Sequence, residues 1–199
     1  MYPAPDVIAA VSGKYRRDFS GIFHILRQKT DVRNQVFFGL AFFDGAVRIE
    51  RAVEIPGRDH IHCKIILFHE FKLIDGVLET LEALSGHYRL VVATKGDVTE
   101  QMFKYRRSGL DRYFHHCEVM ENKDEKNYLE LAAKNDLQPE QILMVGNSVK
   151  SDIAPVINVG GWAINTPHDV VWVHEMMDMP ESDRIIIVQN VKEIVGLLL

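Results

Sequence analysis

Three short polar sets stand directly behind apolar runs in this chain. Thr94-Lys95-Gly96-Asp97 follows RLVVAT, Glu121-Asn122-Lys123-Asp124 follows CEVM, and Gly146-Asn147-Ser148, with Asp152 close behind, follows ILMV. The hydroxyl and the ammonium groups donate hydrogen bonds, and the amide and carboxylate offer oxygens. In open α/β sheets ligands bind at the carboxyl ends of the strands. If the three apolar runs are neighbouring strands, one hydroxyl, one lysine and one amide/carboxylate pair converge on a single sheet edge.

The pattern of the chain supplies those strands. From about residue 70 onward, short apolar runs alternate with amphipathic stretches. Val77, Leu78, Leu81 and Leu84 form a helical stripe with Gly86 as its stop. Arg89–Thr94 reads as a buried strand. Asp97 and Glu100 give the Asp-x-x-Glu start of a helix that runs to about Ser108 and stops at Gly109. Cys117–Met120 is a short strand. Lys126–Asn135 is a helix with Tyr128, Leu129, Ala132 and Ala133 inward. Ile142–Val145 is a strand, followed by a helix near Ser151–Val159. Trp162–Asn165 and Ile185–Val188 are two more strands, and Val191–Leu198 is a closing helix. Such alternation predicts a parallel sheet covered on both faces.

The ordered set resembles the haloacid dehalogenase (HAD) superfamily, whose members are mostly phosphatases. The strand VVATKGD resembles the family's second motif, a strand ending in Thr or Ser, at Thr94. Lys123 in ENKDEKNY matches the motif lysine, with Lys126 as the runner-up. ILMVGNSVKSDI resembles the fourth motif, an acidic pair, with Asn147 in place of the first acid and Asp152 as the second. IDGVLETLEAL (74–84) resembles the helix that leads into the family's core, and GNSVKSDIAPVINVGG with Trp172–Glu175 is similar to one subgroup of hydrolases. The match covers roughly 69–175.

The resemblance implies an α/β, Rossmann-like core at 69–199 behind a mostly helical, partial cap at 1–68. It implies a Mg²⁺-dependent phosphatase acting on a small phosphorylated metabolite. Thr94, with Lys95, Gly96 and backbone N–H groups at the helix start, would cradle a phosphoryl oxygen. Lys123 would offset charge in the transition state. Asn147 and Asp152 would organise the metal, which takes oxygen ligands, directly or through water.

The family's first motif, Asp-x-Asp on the central strand, is missing from all 199 residues. Its first Asp attacks phosphorus and its second is the general acid/base. The nearest imitation is Asp44-Gly45-Ala46. Two readings of this region compete. Val36–Phe43 could be the central strand, with Asp44 as nucleophile. Or 33–55, from the Arg-Asn start to the Pro56-Gly57 stop, could be a cap helix, and the chain would then lack its central strand. The second reading is preferred. It carries a physical objection, because two buried strands would be left with unpaired edges. An active phosphatase, a catalytically incomplete relative that binds phosphate or a protein, and a metal-free dehalogenase are the three resulting expectations.

Taken singly, the site residues have plainer roles. Thr94 suits a strand end, Lys123 a solvated loop, Asn147 and Ser148 a turn and cap, and Asp152 a helix's first turn. The argument is carried by their order. His60, His62, His115 and His116 lack partners at zinc spacing. His168 and His174 lie in a post-strand loop, where the choice is between rimming the pocket and facing solvent, and the solvent-facing reading is preferred. Lys104, Arg106 and Arg107 read as a solvated helix face, because a net charge of −5 gives no general basic surface for nucleic acid. Trp162 reads as core filling. Cys63 and Cys117 form neither a disulfide framework nor a Cys-x-x-Cys pair. No apolar run nears the roughly 20 residues of a membrane span. The expectation is a soluble cytoplasmic protein with no nucleic-acid or membrane partner.

Overall fold

The computed structural model describes residues 73–166 and 177–199, together with the backbone of strand residues 35–39, 43–44 and 72. Six parallel strands make the main sheet. In chain order they are β1 (Gln35–Gly39), β4 (Arg89–Lys95), β5 (His116–Met120), β6 (Ile142–Gly146), β7 (Trp162–Asn165) and β8 (Ile185–Ile187). Two short strands, β2 (Phe43–Asp44) and β3 (Lys72–Leu73), pair antiparallel in a separate ribbon. The main sheet runs β5-β4-β1-β6-β7-β8.

Apolar alternation on the strands decides which helices cover which face. Leu90, Leu143, Val145, Ile164 and Ile186 pack with Val77, Leu81 and Leu84 of α1 (Val77–Ser85) and with Ile194 and Leu198 of α5 (Glu193–Leu198). The intervening residues Val91, Ala93, Ile142 and Met144 pack on the opposite face. Their partners are Tyr128, Leu131 and Ala132 of α3 (Glu125–Lys134) and Val156 of α4 (Ala154–Asn158). Helix α2 (Val98–Arg107) joins β4 to β5. The parallel sheet covered on both faces is thus observed.

The helix expected over 33–57 is corrected at its start. Gln35–Gly39 forms the strand between β4 and β6, with Gln35 opposite both Arg89 and Ile142 and Phe38 opposite both Val92 and Val145. The unpaired-edge argument explains why: the gap between two buried strands needs backbone partners, and a short apolar run can supply them as well as a helix can. The remainder of the expected cap at 1–68, apart from β2, lies outside the described residues, as do His60, His62, Cys63, His168 and His174.

Smaller differences follow from helix rotation. In α3 the buried residues are Tyr128, Leu131 and Ala132, which are spaced i, i+3, i+4. Leu129 is 47% exposed and Ala133 is exposed. Leu78 lies on the open side of α1. The helix expected over Ser151–Val159 opens instead with a wide turn, Val149–Ile153, before α4.

Candidate functional site

The chain moves outward from β1 through β4 to β5, then returns to the other side of β1 as β6. That reversal leaves a crevice at the carboxyl ends of the central strands, the usual ligand position in open α/β sheets. The residues that end β4 and those that follow β5 and β6 meet there.

At the end of β4, Thr94 is buried, and its Oγ1 donates to Gln101 Oε1 at 2.9 Å. Lys95 is exposed, and its Nζ donates to Ser151 Oγ at 2.9 Å. The Gly96 N–H, expected to face a phosphate, donates to the Met120 carbonyl at 3.2 Å. Gly96 therefore contributes a turn rather than a donor. Its φ is +130°, and a Cβ there would stand 3.2 Å from the Gln101 amide nitrogen. Asp97 caps α2 by accepting from the Glu100 N–H at 2.9 Å.

Behind β5, Lys123 reaches Asp152, with Nζ 2.6 Å from Oδ1. The two side chains are only 6% and 4% exposed. Lys126 does not compete for this place, since its side chain is 81% exposed and its partner is Glu130. Asp124 caps α3 through the Asn127 N–H at 3.0 Å. Of the two lysines, it is Lys123 whose side chain lies at the crevice.

The wide turn behind β6 is the centre of the arrangement. Ser148 Oγ accepts from the Ser151 N–H at 3.1 Å, and the Ser148 carbonyl accepts from the N–H groups of Asp152 and Ile153. The Ser148 N–H donates to Asp152 Oδ2 at 3.0 Å. The hydroxyl of the fully buried Tyr128 donates to the Ser151 carbonyl at 2.9 Å. Burial holds that phenol in its neutral form, with its pKa well above the ordinary value, and the nearby Asp152 adds to the effect. Asn165, at the end of β7, donates to the carbonyls of Gly146 and Asn147 at 3.3 Å each. Asn147 itself is half-buried at the mouth.

The structure therefore brings Thr94, Lys95, Lys123, Asn147 and Asp152 to one edge. The backbone of Asp44 belongs to the smaller ribbon and not to the main sheet. Asp44 pairs with Lys72 in the β2–β3 ribbon, while the central strand ends at Gly39. Sequence reasoning missed Gln101, Tyr128, Ser151 and Asn165 as supports of the site. Asn165 ends a strand, so the rule of inspecting strand ends contained its signal. Tyr128 looked like core alone because a hydroxyl target cannot be read from periodicity.

His115, His116 and the basic cluster have their contacts elsewhere. His115 is exposed, and His116 pairs with Glu118 at 3.0 Å. Lys104 pairs with Glu100, and Arg107 lies over the Phe103 ring. Trp162 is half-buried against the core with Arg184 over its ring.

A family model described as haloacid dehalogenase-like hydrolase matches residues 7–160. The chain belongs to that family. Among solved structures, a haloacid dehalogenase-like family hydrolase from Xanthomonas campestris is 34% identical, with a TM-score of 0.58. The match covers 67% of this chain and 52% of that one, so the chain spans about half the length of that relative. A predicted phosphoglycolate phosphatase from Haemophilus somnus 129PT is 22% identical, with a TM-score of 0.54, covering 69% of this chain and 62% of that one. The HAD-type protein YfnB from Bacillus subtilis, solved with magnesium bound, is 17% identical, with a TM-score of 0.59, covering 100% of this chain and 85% of that one. No curated protein matches the chain. Among the described residues, no helix is long and apolar enough to cross a membrane.

Proposed function

We propose that this HAD-like hydrolase binds the phosphoryl group of a small phosphorylated metabolite in the crevice and acts as a phosphatase. The observation that carries the reading is the nearly buried Lys123–Asp152 pair, set beside Thr94 and Lys95 at the carboxyl edge of the sheet. A buried carboxylate fixes the ammonium in place, so its remaining protons are preorganised toward an anion. The Thr94 hydroxyl donates its one proton to Gln101 Oε1, so its oxygen is held in place at the strand end and the positive charge for the anion comes from the lysines. Hydrolysis replaces the ester P–O bond with a bond to an attacking oxygen, and the alcohol leaves with a proton. Lys123 neutralises the charge on the non-bridging oxygens throughout.

The family resemblance assigns Mg²⁺ to Asn147 and Asp152. The donor set does not fit that ion well. Both Asp152 oxygens already accept N–H donors, one of them an ammonium, and Asn147 is neutral. Magnesium is ordinarily held by one or two carboxylates together with waters and substrate phosphates.

A second reading, a family member that binds phosphate without hydrolysing it, is favoured by one observation. The central strand ends at Gly39, and Asp44 belongs to the β2–β3 ribbon. Incubation with an aryl phosphate, with and without Mg²⁺, separates the two. Turnover that falls on Asp44→Asn supports the phosphatase with Asp44 as nucleophile. No turnover in either buffer overturns the phosphatase and leaves the binding protein.

A further inference from the structure

Three of the described carboxylates at the carboxyl edge, Asp97, Asp124 and Asp152, accept hydrogen bonds from the protein's own donors. Asp97 accepts from the Glu100 N–H, and Asp124 accepts from the Asn127 N–H. Asp152 accepts from Lys123 through one oxygen and from the Ser148 N–H through the other. A Cβ on Gly146 would lie 2.7 Å from the Asp152 Cβ, so the carboxylate is pressed against the strand end rather than extended into the crevice. Two ammonium groups come to the same turn, Lys95 at Ser151 Oγ and Lys123 at Asp152 Oδ1. Divalent cations need oxygen ligands with charge to spare, whereas ammonium and hydroxyl groups are the natural partners of an oxyanion.

We propose that this crevice takes up its phosphoryl group through Lys95 and Lys123 independently of any divalent cation, a proposal that rests on the phosphoryl-site reading above. The ligand class is a phosphate monoester or free phosphate. Lys95 is a binding residue for it, alongside Lys123. The site contrasts with a metal-bridged one in that its positive charge is covalently built in, and Asp152 serves to hold an ammonium.

Calorimetric titration of inorganic phosphate into the whole chain tests this, once in EDTA and once in excess Mg²⁺. The expected dissociation constants agree within about twofold, and Mn²⁺ added alone gives the electron paramagnetic resonance signal of the free aqueous ion. Lys95→Gln, a change on an exposed side chain, is expected to weaken phosphate in EDTA at least fivefold. Phosphate binding seen only with Mg²⁺ overturns metal independence while the phosphoryl-site reading stands. Saturable Mn²⁺ binding to the chain alone, or unchanged affinity in Lys95→Gln, also overturns this proposal. No phosphate binding in either buffer overturns the phosphoryl-site reading itself.

Discussion

Gly146 and Asp152 are fitted to one another, because the space where a side chain at 146 would begin is filled by the Asp152 carboxyl group. Gly146→Ala must therefore push the buried carboxylate away from the Ser148 N–H. Overpacking of this kind costs about 1–3 kcal/mol. Denaturant unfolding should show that loss, and phosphate affinity should fall with it. An alanine variant as stable as the parent would mean that the carboxylate can turn aside freely.

Lys123 and Lys126 are three residues apart, yet they should behave differently. Removing Lys123 leaves a nearly buried carboxylate unpaired, which ordinarily costs about 3–5 kcal/mol. Lys123→Ala should unfold at clearly lower urea and lose phosphate binding. Lys126→Ala removes only an exposed ion pair, where changes are about 0–1 kcal/mol, and should match the parent in both measurements.

His116 predicts a limb in the acid stability profile. Burial lowers its pKa, outweighing the nearby Glu118, which pulls the other way. The native state thus binds this proton less readily than the unfolded chain does. The His116 contribution is complete above the ordinary value near 6.5 and is lost as pH falls through the lowered native value. Tm measured from pH 7.5 to 5 should decline less steeply in His116→Gln than in the parent, and parallel profiles would remove His116 from the account.

Cys117 should be a poor nucleophile. Burial, followed by the Glu118 charge, pushes its thiol up to about 11. Reactivity follows the thiolate fraction, so at pH 8 alkylation of the native chain by iodoacetamide should be about 100-fold slower than that of the unfolded chain. Quantifying the Cys117 peptide by mass spectrometry measures this directly.

Much of the core was legible because strand and helix periods differ. The runs RLVVAT, ILMV and WAIN became β4, β6 and β7 nearly residue for residue, and the Asp97 start of α2 was read from its capping chemistry. Gln35–Gly39 was harder, since a short apolar run such as Val36–Phe38 has no period long enough to separate strand from helix. What decides it is tertiary, namely the two strand edges it pairs with. Within the site, residue types pointed to Thr94, Lys123 and Asp152, but not to their bonds. That Lys95 would find Ser151, or that Gly96 would give its N–H to Met120, depends on how separate strand ends come into register. No local pattern encodes that.

The two lysine bonds also connect opposite banks of the crevice. Lys95 and Lys123 come from the β4–β5 side, Ser151 and Asp152 from the β6 side, and β1 lies between. Ser151 is thus a resident competitor for the Lys95 ammonium. An arriving anion that recruits Lys95 takes it from that hydroxyl, so measured affinity is a difference between two partners rather than the strength of one. Once bound, the anion becomes the tie between the banks in place of the bond it displaced.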